Sequence, residues 1–280
     1  MEPKTLDHYL NKNNTSVEQV YREEMKNMVE IFHENTKQSE ALKPLFLNSI
    51  LKHLYDENQI LADSLNHKNY VFKPSLKLPP ANTIEKTLHE ISSQRSSHRN
   101  YKAGPLSDQE LSDLLTSLRV TRESISSVNS KAKLCLRTYA SAGGLYPVEI
   151  YVFRPNEQYT NWQSYYYSLK KHELSLISPS INPEDLYQNI GTSESTQEIG
   201  AIIVLTGIFE RSVHKYGSLG YRFALTEAGG MLQQLGLASA GLGLGSIVWG
   251  GANDDKINEL IEVNGVDETM LNCLLVGKID

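Results

Sequence analysis

Cysteine is scarce: the 280 residues contain only Cys135 and Cys273, far apart and without a CxxC companion. That excludes a disulfide-stapled scaffold and a cysteine-rich zinc or iron–sulfur centre. The eight histidines include no HExxH and no paired ligand spacing, so no metal site is expected. No apolar run reaches the roughly 20 residues of a membrane span. The opening Met1-Glu2-Pro3-Lys4-Thr5-Leu6-Asp7 lacks the apolar stretch of a signal peptide. A cytoplasmic protein that neither spans nor binds a membrane is expected. Positive charge is in deficit, 27 Lys and Arg against 33 Asp and Glu. A nonspecific nucleic-acid binder needs the opposite balance. Internal repeats, GxxxxGK[ST] and GxSxG are all absent. Gly241-Leu242-Gly243-Leu244-Gly245-Ser246 is no dinucleotide fingerprint, because its sixth residue is serine and the order is helix, glycines, strand. It reads more simply as a helix stop.

What is present is ordinary globular material, 40% hydrophobic and 21% charged. If the chain is a redox enzyme, its electrons must come from an organic cofactor. Residues 1–76 are polar and helical in pattern. Ser16 and Gln19 form a capping box before Val17, Val20, Tyr21, Met25, Met28 and Phe32. A second helical stretch covers about 45–65. Pro74, Pro79 and Pro80 then break the pattern, which places a connection into a second unit, 77–280.

In that unit Ser107-Asp108-Gln109-Glu110 caps a helix with Leu111, Leu114, Leu115 and Leu118 on one stripe. Strands are predicted over 147–154, 201–209, 246–249 and 270–276, with a hairpin over 164–177. Helices are predicted over 221–241, apolar nearly all round, and over 254–263. The expected class is α+β or α/β.

Four groups of residues could carry chemistry. Arg95, Ser96, Ser97 and Arg99 could fork onto a phosphate, or form a solvated basic patch. Tyr139-Ala140-Ser141-Ala142-Gly143-Gly144-Leu145-Tyr146-Pro147 is small enough to let a planar ligand reach the backbone, or is a tight turn. Lys215 and Tyr216 could supply a base near neutral pH if buried, provided the backbone there is irregular; otherwise they are a loop lysine and a packing tyrosine. Glu227, on an apolar helix, is either functional or paired with Arg222 or a backbone group.

Taken in order, these segments resemble the nitroreductase-like FMN flavoproteins, and within them the SagB-type azoline dehydrogenases. Arg95-Ser96-Ser97-His98-Arg99-Asn100-Tyr101 resembles the family's RxSxRxF/Y phosphate-binding opening. Ser141 to Glu149 resembles the SGGALYPxE segment of that branch. Tyr165-Tyr166-Tyr167 with His172-Glu173-Leu174 resembles its tyrosine strand and HxL. Lys215-Tyr216-x3-Gly220-Tyr221-Arg222 resembles the KYxxxGYR stretch of azoline dehydrogenases. Ala140 departs from the usual proline, and Ser96 from a second arginine.

The resemblance covers about residues 78–280. It implies a nitroreductase-like α+β fold, with a central, mostly antiparallel sheet flanked by helices and an N-terminal helical extension that docks a partner or peptide. It implies FMN with its phosphate near Arg95, Ser96, Ser97 and Arg99. Ser141, Ala142 and Gly143 would lie against the ring, and Val248, Trp249 and Gly250 near its reactive nitrogen. It implies Lys215 and Tyr216 as the catalytic pair, a homodimer, oxygen as final acceptor, and a cyclodehydratase partner. The substrate would be a ribosomal precursor peptide whose thiazolines or oxazolines become thiazoles or oxazoles. Two alternatives stay open: an NAD(P)H-dependent nitro- or quinone reductase, and a non-catalytic flavoprotein scaffold.

Overall fold

The central strands are buried along their length, and successive side chains enter two different apolar clusters. In the computed structural model, which describes residues 15–192 and 198–280, Ile150 and Val152 face one apolar cluster while Tyr151 and Phe153 face another. Ile203 and Leu205 oppose Ile202 and Val204 in the same way, as Leu274 and Val276 oppose Cys273 and Leu275. A sheet buried on both faces must be covered by helices on both.

The chain divides into two compact units, Met1–Leu47 and Asn48–Asp280. The first carries helix α1 (Thr15–Thr36), on which Met28, Val29, Ile31 and Phe32 are exposed. The side chains of Ser16 and Gln19, with the capping box expected there, lie outside the described residues. The boundary expected at 76/77 followed from the proline break; by packing, residues 48–76 go with the larger unit. Helix α2 (Lys43–Tyr55) runs across the division. Helix α3 (Glu57–Leu65) starts afresh where the carboxylate of Asp56 accepts from the Asn58 and Gln59 amides. The single helical stretch expected over 45–65 is thus two helices, because Asp56 prefers capping to continuing.

The larger unit holds a seven-stranded antiparallel sheet in the order β1-β6-β5-β4-β7-β9-β8. Its strands are β1 (Ser75–Lys77), β4 (Val148–Pro155), β5 (Trp162–Ser168), β6 (Glu173–Ile181), β7 (Ala201–Gly207), β8 (Leu244–Trp249) and β9 (Thr269–Lys278). The proline-flanked connection is itself edge strand β1, with Leu76 opposite Leu174; proline tolerates an edge because one side needs no ladder. A separate hairpin, β2 (Val120–Ile125) with β3 (Lys133–Arg137), had no sequence signal because its outer strand is exposed and polar.

Helix α4 is Leu88–Gln94. Helix α5 (Asp108–Leu115) has the expected Ser107–Glu110 capping box in full. Helices α6 (Pro183–Ile190), α7 (Glu210–Tyr216), α8 (Leu219–Gly241) and α9 (Asp254–Leu260) complete the set. On one face of the sheet lie Leu111 and Leu114 of α5 with Met231 and Leu235 of α8; on the other lie Leu186 and Ile190 of α6 with Ile257 of α9. Burying each such side chain contributes about 1.5–3 kcal/mol.

Helix α8 is not buried all round. Leu225, Thr226, Gly229, Gly230 and Gln233 are exposed, so only one stripe is in the core. The face that looked apolar in sequence is largely glycine and small residues. Gly243 (φ 74°) ends the segment in the left-handed region, as a helix stop requires. Among the described residues no helix is long and apolar enough to cross a membrane.

Candidate active site

Lys215 and Tyr216 form the last turn of α7, which Gly217 terminates at φ 57°, ψ −147°, a conformation open essentially to glycine alone. The backbone through both residues is helical, so the expected irregularity starts one residue later. Their side chains converge all the same. Lys215 Nζ lies 5.3 Å from the Tyr216 ring centroid, and that ring stands edge-on to Phe223, centroids 5.0 Å apart. The Ser49 hydroxyl donates to the Lys215 carbonyl at 2.9 Å, tying the turn to α2. Lys215 is only 6% exposed. Burial pushes its ammonium pKa down and the Tyr216 phenol up. Both shifts work against the charged forms.

The glycine loop closes on this pair. Gly143 sits at φ 64°, and a Cβ there would run into Tyr216 Oη and stand 2.8 Å from Lys215 Nζ. Gly144 (φ 67°) and Tyr146 (φ 48°) share the left-handed region. The turn is held by the Tyr146 amide donating to Ser141 Oγ at 2.9 Å. The structure therefore brings Lys215, Tyr216 and Gly143 together, with Ser141 and Ala142 on the same loop.

Beneath the loop lies a charged layer that sequence reasoning missed. Arg137 stacks 4.2 Å from the Tyr146 ring centroid and donates to Tyr139 Oη at 2.6 Å. Arg211 donates to Glu149 at 2.6 Å and to the Tyr146 carbonyl at 3.0 Å. Tyr166 donates to the other Glu149 oxygen at 2.8 Å. Glu149 belongs to the SGGALYPxE-like segment, a signal that could have been read; Arg137 and Arg211 lie in no motif.

Glu227, 4% exposed, does not pair with Arg222 as one reading had it. It is turned toward Ser141 and the two buried arginines. Neither of its oxygens has an aligned hydrogen bond. Burial outweighs the pull of Ser141, Arg137, the Val148 amide and Arg211, and pushes its carboxyl up to about 7.

The remaining expected residues lie elsewhere on the unit. Arg95 caps the C-terminus of α4, and Arg95, Ser96, Ser97 and Arg99 are all exposed. Neither arginine has an ion-pair partner among the described residues. This segment is stitched to β8 by the Ser97–Ser246 bridge and by the His98 amide donating to the Ser246 carbonyl at 3.0 Å. Strand β8 leads to Val248, Trp249 and Gly250. Val248 is exposed, and the Trp249 indole donates to the Ile190 carbonyl at 2.7 Å.

Comparison with known proteins bears on the family and the fold. Residues 93–278 match the model of the nitroreductase family. The microcin B17-processing protein McbC of Escherichia coli is 33% identical over 134 residues, 46% of this chain and 49% of that protein; the chain thus aligns with about half of it. A nitroreductase-like protein of Ralstonia eutropha superposes with a TM-score of 0.60 at 23% identity, over 76% of this chain and 93% of that one. A chain of the E. coli microcin synthetase McbBCD complex with truncated pro-MccB17 bound superposes with a TM-score of 0.54 at 22% identity, over 100% of this chain and 99% of that one. With its antiparallel sheet, flanking helices and a family match across two thirds of its length, the chain belongs to the nitroreductase family and resembles McbC among its relatives.

Proposed function

We propose that this chain is an FMN-dependent azoline dehydrogenase, which converts thiazolines or oxazolines of a ribosomally made precursor peptide into thiazoles or oxazoles. The observation that carries the reading is the convergence of Lys215 and Tyr216 on Gly143. A simple reductase has no need of a buried amine and a phenol facing a glycine loop. The similarity to McbC supports the substrate class.

The residues present fit a flavin mononucleotide. Arg95 and Arg99 are exposed guanidiniums without ion-pair partners among the described residues, flanked by the Ser96 and Ser97 hydroxyls, which suits a phosphate. Ser141, Ala142 and Gly143 offer a loop of small side chains, which suits close approach of a flat ring. Val248, Trp249 and Gly250 would take the far side. Bound FMN would supply the two-electron acceptor that no side chain here can provide.

The chain's own residues supply orientation and proton handling. Aromatising an azoline removes two hydrogens from adjacent ring carbons, one as a proton and one as hydride. Lys215 Nζ, whose charged form burial disfavours, accepts the proton; Tyr216 Oη donates a hydrogen bond to the ring heteroatom and keeps the substrate in register. A homodimer and a cyclodehydratase that prepares the azoline complete the proposed assembly.

The test is to mix the purified flavin-loaded protein with an azoline-bearing peptide and follow its mass. A loss of about 2 Da per ring, the two hydrogens of the flavin step, is expected. No loss, together with rapid flavin bleaching by NADPH and turnover of a nitroaromatic, would replace this reading with a reductase.

A further inference from the structure

Away from the glycine loop, three chemistry-bearing side chains from three helices meet: His53 on α2, Asp63 on α3 and His214 on α7. One ligating atom from each lies within 4.8 Å of the other two. His53 Nε2 is 3.1 Å from Asp63 Oδ2, and His214 Nε2 is 3.6 Å from Asp63 Oδ1. The side chains are 6%, 10% and 21% exposed, so this is not a solvated cluster.

These atoms are in ion-pair contact but poorly aligned for hydrogen bonds. Asp63 Oδ2 and His214 Nε2 are buried and have no aligned hydrogen bond. Hydrogen-bonded groups point at one another; metal ligands point at a common centre between them. A tetrahedral zinc ion with bonds of about 2.0–2.2 Å holds neighbouring ligand atoms about 3.3–3.6 Å apart; His53 Nε2 is 3.1 Å from Asp63 Oδ2 and the three ligand atoms all lie within 4.8 Å, so small side-chain shifts bring them to that spacing.

The surroundings prepare two of the groups. His214 Nδ1 hydrogen-bonds the Glu210 carbonyl at 2.7 Å, which places its proton on Nδ1 and leaves the Nε2 lone pair facing the cluster. Gln59 donates to Asp63 Oδ1 at 3.0 Å, orienting the carboxylate so that Oδ2 stays open. His53 Nδ1 is buried without a partner, so that imidazole is oriented by packing. Asp63 and His214 also line a cavity of about 520 Å³ with Gln59, Ala62, Ile208 and Glu210, which gives an ion a way in and room for a water as fourth ligand.

We propose that His53 Nε2, Asp63 Oδ2 and His214 Nε2 form a binding site for a divalent transition-metal ion of the zinc class. Two imidazoles and one carboxylate suit such an ion and not calcium or magnesium, which want all-oxygen shells. Because His214 immediately precedes Lys215, a bound ion would clamp α7 to α2 and α3 and fix the turn that carries the candidate pair. The ion is structural in this proposal and takes no part in redox chemistry.

The test uses the untagged full chain, stripped with a chelator and titrated with Zn²⁺ against a chromophoric competitor, with metal content measured after dialysis. One equivalent per chain is expected, with a rise in Tm on loading. His214→Gln and Asp63→Asn should each weaken binding by more than the 10–100-fold that outer-shell partners are worth. His89→Ala, an exposed histidine on α4, should bind zinc as the unaltered chain does. Thermal melts of the stripped variants show whether each is folded. The proposal is overturned by no saturable zinc binding in the unaltered chain, by unchanged affinity in folded His214→Gln, or by equal loss in His89→Ala.

Discussion

Lys215 Nζ stands 5.3 Å from the centroid of the Tyr216 ring, although the two residues are consecutive on one regular helical turn. Neighbours in a helix diverge by about 100° around its axis, so they meet only if one side chain is long enough to fold back. Lysine's four-carbon stem does this, and the Gly217 break leaves room beyond the last turn. The candidate pair is therefore a property of a helix end.

Removing the pair should separate chemistry from cofactor binding. Lys215→Ala and Tyr216→Phe are each expected to keep the bound flavin spectrum and to lower azole formation by about 10²–10⁴-fold, the usual worth of a positioned proton-transfer group. Full turnover by the double variant, measured by peptide mass, would end the assignment.

Gly143→Ala should damage stability and activity together. An alanine at φ 64° costs about 1–2 kcal/mol in backbone strain. Its methyl would also push Tyr216 Oη and Lys215 Nζ apart. A misplacement of about 1 Å costs on the order of 10²-fold in rate. Thermal melts and peptide turnover on the same preparation check both. Unchanged activity would mean that the loop does not face the reacting groups.

Much of this was legible in sequence, for identifiable reasons. The Ser107 cap, the Tyr165–Tyr167 strand and the near-continuous apolar run from Ala201 are local signals, and the structure follows them. The Lys215–Tyr216 pair was visible because the two are adjacent. The Arg211–Glu149 pair spans 62 positions, and Glu227 meets Arg137 across 90 residues, so no window of sequence holds them. His53, Asp63 and His214 are brought together in the same way: they sit on three helices, and a search for local ligand spacing cannot see that. Helix α8 misled because glycine and alanine raise apparent apolarity without needing burial.

The Arg211–Glu149 pair, 5% and 3% exposed, should behave as a buried ion pair. Arg211→Met leaves Glu149 charged in the interior with only Tyr166 donating to it, and is expected to cost about 3–5 kcal/mol. Glu149→Leu added to it should recover part of that loss, because no lone charge then remains. Denaturant melts of the two single variants and the double variant form the cycle. Strict additivity would show that the pair contributes no coupling.

Glu227 should give the fold a distinct pH signature. Its carboxyl is raised from 4.5 to about 7, so between those values the folded chain holds a proton that the unfolded chain has released. Stability from this group is thus full below about 4.5, falls as pH rises to about 7, and is flat above. At 1.36 kcal/mol per unit the whole effect is about 3 kcal/mol. Glu227→Gln, neutral at every pH, should gain on the unaltered chain by that order between pH 4.5 and 7 and keep the gain at pH 8. Melts across that range measure it directly. A gap that stays flat from pH 4.5 to 8 would mean that Arg137 and Arg211 hold Glu227 as a carboxylate throughout that range.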